Sequence, residues 1–165
     1  MSWSRYVAGP GSYRLTGAPP QPIDVPGVPG LVLADVWRTE GVPVSNSAAA
    51  DLATQGSFAI APDAEGTVFR VITFPPKSVL DKADPGLLAR MGAETPAGSD
   101  SHLMWHQTAS IDYISIVSGA IDLVTEVDRI SLRSGDVAVV RGILHAWDNP
   151  AEEVCVMTCV SIGST

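Results

Sequence analysis

Residues 111–149 read IDYISIVSGAIDLVTEVDRISLRSGDVAVVRGILHAWDN, a succession of short apolar runs rich in β-branched residues. The breaks between the runs are short and turn-like, as at Gly119 and at the Ser-Gly-Asp sequence of residues 134–136. A similar run, EVCVMTCVSI, follows at residues 153–162. Several short strands at this spacing indicate a β-sandwich or barrel, and no long periodic helix is available to connect parallel strands. The sequence therefore predicts an all-β, antiparallel fold.

The first part of the chain has a different composition. Residues 1–30 are dense in glycine and proline, and because proline cannot donate to a sheet ladder, this segment is expected to be extended or edge-like. Strands are predicted for LVLADVW (31–37) and TVFRVITFPP (67–76). One loose helical turn is predicted within residues 45–56, and DPGLLARMG (84–92) carries the signals of a short helix.

The length of the chain, 165 residues, is that of one domain with a substantial core, and 45% of the residues are apolar. We expect residues 67–163 to form the barrel and residues 1–66 to form an N-terminal arm with accessory strands. The arm is expected to pack onto the barrel or to reach across to a partner subunit in a homodimer.

The charge and the distribution of apolar residues argue against several classes of function. Its formal net charge is −8, and a negative surface repels phosphate backbones, so nucleic-acid binding is not expected. No apolar stretch approaches the roughly 18 residues that a membrane span needs, and MSWSRYVAGPGS (1–12) lacks the apolar centre of a signal peptide. The sequence therefore predicts a cytoplasmic protein.

The two cysteines, Cys155 and Cys159, lie four residues apart in a predicted strand. That separation spans about 13 Å, whereas a disulfide needs Cα atoms closer than about 7 Å. We therefore expect two free, buried thiols rather than a disulfide or a zinc site.

All three histidines of the chain, His102, His106 and His145, fall in or just before the barrel region. Asp112 shares its strand face with Ile114 and should therefore be buried. An isolated buried carboxylate is costly, so Asp112 is expected to be paired, hydrogen-bonded or bound to a metal. In a barrel, side chains of one parity point inward, so two strands can direct an imidazole and this carboxylate to one interior point.

Two stretches of the chain resemble the two motifs of the cupin family. HQTASIDYISIVSG (106–119) is similar to the first motif, in which a His-x-His pair is followed by a glutamate and a closing glycine. GDVAVVRGILHAWDN (135–149) is similar to the second, with a Pro-x-Gly turn, a histidine and an asparagine. The chain differs from the family pattern at Thr108, which replaces the second histidine, at Asp112, which replaces the glutamate, and at Arg141, which begins a shorter turn.

A bacterial and fungal subgroup of cupins gives a closer resemblance, through MWHQTASIDY (104–113) and VVRGILHAWDN (139–149). The strand ending at Trp37 and the sequence FRVITFPP (69–76) are also similar, so the resemblance covers roughly residues 20–163. It implies an antiparallel jelly-roll β-barrel with a Pro/Gly-rich N-terminal extension.

The resemblance also implies a divalent metal held by His106, Asp112 and His145, with Thr108 not a ligand. Two imidazoles and one carboxylate suit iron, manganese, nickel or zinc, and three protein ligands leave coordination positions open for a substrate. His102 has several possible roles: a loop histidine, a fourth ligand, a group that supports the ligands, or a general base.

Other side chains near the motifs are candidates for a substrate pocket. Trp105, Tyr113, Trp147 and Phe69 are predicted to belong to the barrel core or to the pocket wall. Arg141 is predicted to form an ion pair with Asp136 or Asp112, or to bind a substrate carboxylate.

Three functions stay open on the sequence alone. The first is a metal-dependent enzyme that acts on a small keto, hydroxy or phenolic compound by lyase, isomerase or dioxygenase chemistry. The second is a metal-free dehydratase or cyclase of secondary metabolism, in which histidine and Asp112 act as acid and base. The third is a cupin that binds a ligand without catalysis.

Overall fold

Antiparallel strands dominate the structure. A computed structural model describes residues 4–9, 12–15, 22–46, 51–54, 59–84, 86–93 and 104–165. The strands found in these ranges are β1 (Tyr6–Gly9), β2 (Ser12–Leu15), β3 (Ile23–Asp24), β4 (Val32–Thr39), β5 (Thr67–Phe74), β6 (Ser110–Ser118), β7 (Ala120–Thr125), β8 (Arg129–Arg133), β9 (Val137–Arg141), β10 (His145–Asp148) and β11 (Cys155–Gly163). Helical structure is confined to a 3-10 turn at Leu52–Thr54, α1 (Lys77–Leu80) and α2 (Leu87–Arg90) within the same ranges.

The strand pairings are nested inside one another. The innermost pair in the sequence is β7 with β8, and the pair of β6 with β9 lies on either side of it. The bridge between His106 and β10 brackets these four strands, and the pair of β5 with β11 is outermost. Successive pairs alternate between a six-stranded sheet of order β3-β4-β5-β11-β6-β9 and a three-stranded sheet of order β10-β7-β8. This alternation is jelly-roll topology. The predicted all-β, antiparallel jelly roll is confirmed.

The core lies between the two sheets. Each sheet contributes buried apolar side chains to one cluster, such as Ile114 and Met157 from the six-stranded sheet and Ile121 and Leu123 from the three-stranded sheet. Alternate residues of β6 are buried and exposed, as expected for a strand with one face toward the core.

The predicted strands at 31–37 and 67–76 correspond to β4 and β5, which are neighbours in the six-stranded sheet. The helix predicted for residues 84–92 is a single turn, α2, and it buries Leu87 and Leu88 in the core. None of the helices in the described ranges is long and apolar enough to cross a membrane.

Both cysteines are free and buried, as the sequence predicts. Burial raises the pKa of the Cys155 and Cys159 thiols to about 11, so both stay protonated near neutral pH.

Asn149, at the end of the second motif, is fully buried and holds a turn together. Its side-chain amide donates to the carbonyl oxygens of Phe74 and Glu153, and its Oδ1 accepts a hydrogen bond from the Ala151 amide. This motif residue has a structural role.

Gly119 joins β6 to β7 with a φ of +77°, and a Cβ at this position would lie 2.6 Å from the Val154 carbonyl oxygen. We expect Gly119→Ala to lower the free energy of unfolding by about 2–3 kcal/mol, since the left-handed backbone alone costs about 1–2 kcal/mol. Gly92→Ala is the matched control, because Gly92 has a φ of +80° and a Cβ added there would meet no such neighbour within 4 Å. Urea unfolding of both variants measures the difference, and equal losses would contradict the contact with Val154.

Candidate active site

One cavity lies between the sheets and is bounded by both motif stretches. The space open to the centre of a water molecule is about 60 Å³, room for about four to six waters at 10–15 Å³ each. Most of the wall is apolar, with Leu33, Ile72 and Met157 among its residues. The polar part of the wall consists of Arg70, His106, Thr108, Asp112, His145 and Ser161.

His106 and His145 face each other as a cross-strand pair. The amide of His106 donates to the carbonyl oxygen of His145 at 2.9 Å, and the reverse hydrogen bond measures 3.0 Å. Residues opposed in this way carry their side chains on the same face of a sheet. The two imidazole rings are therefore neighbours, with centroids 4.3 Å apart, and both side chains are buried.

The backbone fixes the tautomer of each imidazole. Nδ1 of His106 lies 2.9 Å from the carbonyl oxygen of Met104, and Nδ1 of His145 lies 2.9 Å from that of Ile143. Because a carbonyl oxygen only accepts hydrogen bonds, each Nδ1 carries the proton. In the neutral ring, Nε2 then keeps a lone pair, which is the state required of a base or a metal ligand.

Both imidazoles are held in the neutral form. Burial, together with the nearby His145 ring, lowers the pKa of His106 to about 4, although the contact with Met104 opposes this. Burial also lowers the pKa of His145, while the hydrogen bond to Ile143 and the negative charge of Asp112 raise it. Asp112 therefore favours protonation of His145.

Asp112 ends a chain of buried side-chain hydrogen bonds. Its Oδ1 accepts a hydrogen bond of 3.0 Å from the Ser110 hydroxyl, and the Ser110 and Thr108 hydroxyl oxygens lie 2.9 Å apart. All three side chains are at most 9% exposed. Asp112 is therefore buried and hydrogen-bonded, as expected from the sequence.

Arg70 also borders the cavity, and it donates hydrogen bonds to a neighbouring strand and a loop. Its Nε donates to Asp35 Oδ1 at 3.0 Å, and its two terminal nitrogens donate to the carbonyl oxygens of Ile60 and Ala59 at 2.9 Å each. The side chain is only 2% exposed. This arginine anchors the loop before β5 to the sheet.

The residues implied as metal ligands have suitable donor atoms, namely two imidazole nitrogens and one carboxylate. Within the described ranges, however, no three histidine, cysteine, aspartate or glutamate side chains are grouped closely enough to hold a metal ion. As arranged here, His106, Asp112 and His145 line the same cavity without surrounding one point. The metal therefore stays a prediction.

The predicted aromatic pocket residues are divided between the two faces of the sheets. Trp147 lines the cavity, where its ring lies edge-on to His145 with centroids 6.0 Å apart. Trp105 is buried in the core cluster but is not among the described cavity-lining residues. Tyr113 and Phe69 lie on the outer face with 49% and 37% exposure, because each alternates with an inward-facing neighbour along its strand.

Arg141 does not line the described cavity. Arg141 is exposed at the end of β9, next to Val140, whose buried side chain lies on the opposite face of the strand. Among the described residues it forms no ion pair with Asp136 or Asp112, so the predicted pairing is not observed. His102 lies outside the described residues.

Three polar residues at or next to the cavity were not singled out from the sequence: Arg70 and Ser161, which line it, and Ser110, which donates to Asp112. Ser110 had a usable signal, because it shares strand parity with Asp112. Ser161 is the cross-strand partner of Asp112, and this relation depends on the pairing register of β6 and β11, which the sequence does not give.

The two stretches that resemble the cupin motifs thus face each other across one cavity of a jelly roll. The chain has the jelly-roll fold that its resemblance to the cupin motifs implies. The first stretch supplies His106 and Asp112, the second supplies His145, and both sheets enclose the cavity between them.

Parts of the chain are similar to known proteins. No family model matches the chain. The chain is 36% identical over 115 residues to Phomopsin biosynthesis cluster protein C' of Diaporthe leptostromiformis, covering 68% of the chain and 50% of that protein. It is 38% identical over 50 residues to Oryzines biosynthesis cluster protein J of Aspergillus oryzae, covering 30% of the chain and 28% of that protein. The chain spans about half the length, or less, of these curated relatives.

Among solved structures, the chain is similar to a Cupin 2 conserved barrel domain protein from Salinispora arenicola. The TM-score is 0.42 at 15% sequence identity, over 80% of this chain and 75% of that one.

The low pKa of His106 predicts a pH-dependent stability. The unfolded chain protonates this residue near pH 6.5, whereas the folded chain does so only near pH 4. Neutral His106 therefore makes its full contribution to the free energy of unfolding above pH 6.5. As the pH falls from about 6.5 to about 4, the free energy of unfolding decreases by about 3 kcal/mol on account of this residue. Because His145, Asp112 and Arg70 line the same cavity, the contribution is measured as a difference from His106→Asn, which keeps a donor for Met104. Urea unfolding of EDTA-treated protein at pH 7 and pH 4.5 should show the smaller loss for the variant; equal losses would refute the assignment.

Proposed function

We propose that this protein is a small-molecule enzyme of secondary metabolism that moves a proton on an oxygenated organic substrate. One observation carries the proposal: two buried imidazoles, each with Nδ1 bound to a backbone carbonyl oxygen, line one mostly apolar cavity together with the carboxylate of Asp112. A buried pair of basic nitrogens beside a carboxylate is the composition of a general acid–base site.

In the proposed reaction, His145 is the general base and Asp112 stabilises its protonated form. Nε2 of His145 takes a proton from a substrate carbon next to a carbonyl group, and the electron pair forms a carbon–carbon double bond. In a dehydration, the same proton passes to the leaving hydroxyl group, so that one water departs and the imidazole returns to neutrality. In an isomerisation, the proton returns to a different carbon.

The curated relatives support the metabolic setting. Their names place one relative in a phomopsin biosynthesis cluster and the other in an oryzines biosynthesis cluster. Because the chain covers only half or less of those proteins, the substrate is assigned here only by class: a keto, hydroxy or phenolic compound.

A metal-dependent version of this function is the second candidate. It is favoured by the donor chemistry, because the Nε2 lone pairs of His106 and His145 and the carboxylate of Asp112 are ligands that iron, manganese, nickel or zinc accept. A bound metal would polarise a substrate oxygen or activate O₂. Elemental analysis of protein purified without chelator or metal-affinity steps tests it, with loss of metal expected in His106→Ala and His145→Ala.

The products distinguish the candidate functions. The protein is incubated with a panel of hydroxy ketones and phenols, and the products are analysed by mass spectrometry with and without EDTA. A product that has lost one water, or a new product with the same mass as its substrate, supports the acid–base proposal if it also forms in EDTA. A product that has gained oxygen atoms supports the metal candidate. Thermal stabilisation by a compound without any product would instead indicate a ligand-binding protein.

The quaternary structure is part of the proposal as well. We propose a homodimer that involves the N-terminal arm, and light scattering that shows a monomer at high concentration would exclude it.

A further inference from the structure

In the series of hydrogen bonds that joins Thr108, Ser110 and Asp112, the donor and the acceptor of each bond can be assigned. Ser110 has one hydroxyl proton and donates it to the Asp112 carboxylate. In its contact with Thr108, Ser110 must therefore accept, so the Thr108 proton is committed to Ser110. Thr108 lines the cavity, and any further hydrogen bond that its hydroxyl makes with a ligand is accepted rather than donated.

The imidazoles and the carboxylate of this polar wall also offer acceptors. His106 and His145 use their Nδ1 protons on backbone carbonyl oxygens, and a carboxylate such as Asp112 has no proton to give. Oδ2 of Asp112 has no hydrogen-bond partner among the described residues. Arg70 has five N–H groups, and three of them donate to Asp35 and to two backbone carbonyl oxygens. Cys159 and Ser161 form one contact of 3.5 Å, in which either atom can donate.

We propose that this cavity selects its ligand through a group that donates a hydrogen bond, an alcohol, enol or phenol hydroxyl, and that Thr108 and Ser110 set this selectivity. A carbonyl oxygen placed directly against Thr108 and Asp112 would meet acceptors from both side chains and would lose its hydrogen bonds to water there without replacement. The inference rests on the proposed function only in taking this cavity as the substrate site. It narrows the substrate class: the oxygen placed against the Thr108–Ser110–Asp112 chain is a hydroxyl.

The size of the cavity guides the choice of probes. Space for about four to six waters suits a ring of five or six heavy atoms. Cyclopentanol and cyclopentanone share one ring and one oxygen and differ in whether that oxygen carries a proton. Ligand-observed NMR titration gives the Kd of each probe, and we expect cyclopentanol to bind wild-type protein about tenfold more tightly.

Ser110→Ala is the decisive variant, because it releases the Thr108 proton. Thr108 can then donate to a carbonyl oxygen, so cyclopentanone should bind about three- to tenfold more tightly than it binds wild type. A purely structural role of Ser110 predicts no such gain. The matched control is Ser115→Ala, an exposed serine on the outer face of the same strand, which should leave both affinities unchanged.

Thr108→Val provides a second measurement should Ser110→Ala fail to fold. It removes the hydroxyl from the wall and should reduce the preference for cyclopentanol by at least about threefold. Equal binding of both probes to wild type, or an unchanged cyclopentanone Kd in folded Ser110→Ala, would overturn the inference. These equilibrium measurements require no turnover, so an inactive protein that still prefers the alcohol would refute the proposed function and leave the inference standing.

Discussion

Replacing His145 with asparagine is expected to lower kcat/KM by about 10³-fold while the protein remains folded, since general-base catalysis contributes about 10²–10⁴-fold. Asparagine places an amide nitrogen near the position of Nδ1, so the hydrogen bond to the Ile143 carbonyl oxygen is kept. It has no counterpart of the Nε2 lone pair. The substitution therefore removes the base and retains the backbone contact.

His106→Asn is the matched control for this experiment. It makes the same change in the neighbouring ring, whose pKa of about 4 makes it the weaker base. We expect a fall in kcat/KM of about tenfold or less, with most of it in KM. Steady-state kinetics on a substrate identified from the product analysis measures both variants, and an equal loss in the two would contradict the assignment of His145 as the base.

Replacing Arg70 with leucine is expected to have the largest effect on stability, a loss of about 3–5 kcal/mol in the free energy of unfolding. Arg70 is 2% exposed and donates to Asp35 and to the carbonyl oxygens of Ile60 and Ala59. Leucine would leave a carboxylate and two carbonyl oxygens without these donors in a buried place.

Arg38→Leu is the appropriate comparison, because the Nε atom of Arg38 also lies 3.0 Å from a carboxylate oxygen of Asp35. Among the described residues, Arg38 makes no hydrogen bond through this atom, and its side chain is 18% exposed. Its loss should cost about 1 kcal/mol, as for a partly solvated ion pair. Guanidinium unfolding monitored by circular dichroism measures both. A cost for Arg70→Leu no greater than that for Arg38→Leu would show that burial does not strengthen the Asp35 interaction.

Local patterns were enough to predict much of the site. Asp112 was expected to face inward because it shares parity with Ile114, and it is buried as expected. The same parity rule, applied to Tyr113, places this side chain on the outer face. The aromatic residue was nevertheless considered for the pocket wall, because its neighbours in sequence carry the motif. Proximity in sequence to a motif is therefore a weaker guide in a strand than alternation.

The sequence by itself determined the all-β class and the two free cysteines, because strand alternation and turn residues are local properties. Its resemblance to the cupin motifs pointed to the histidines and the aspartate that line the cavity. Only the tertiary structure decided which protons are free in the cavity. Several of these protons are used in hydrogen bonds, for example to the carbonyl oxygens of Met104 and Ile143 and to the Ser110 hydroxyl. These hydrogen bonds depend on the direction of the backbone and on distances of a few ångströms. Residue types alone do not encode these, and the orientation of each hydrogen bond sets what the cavity accepts.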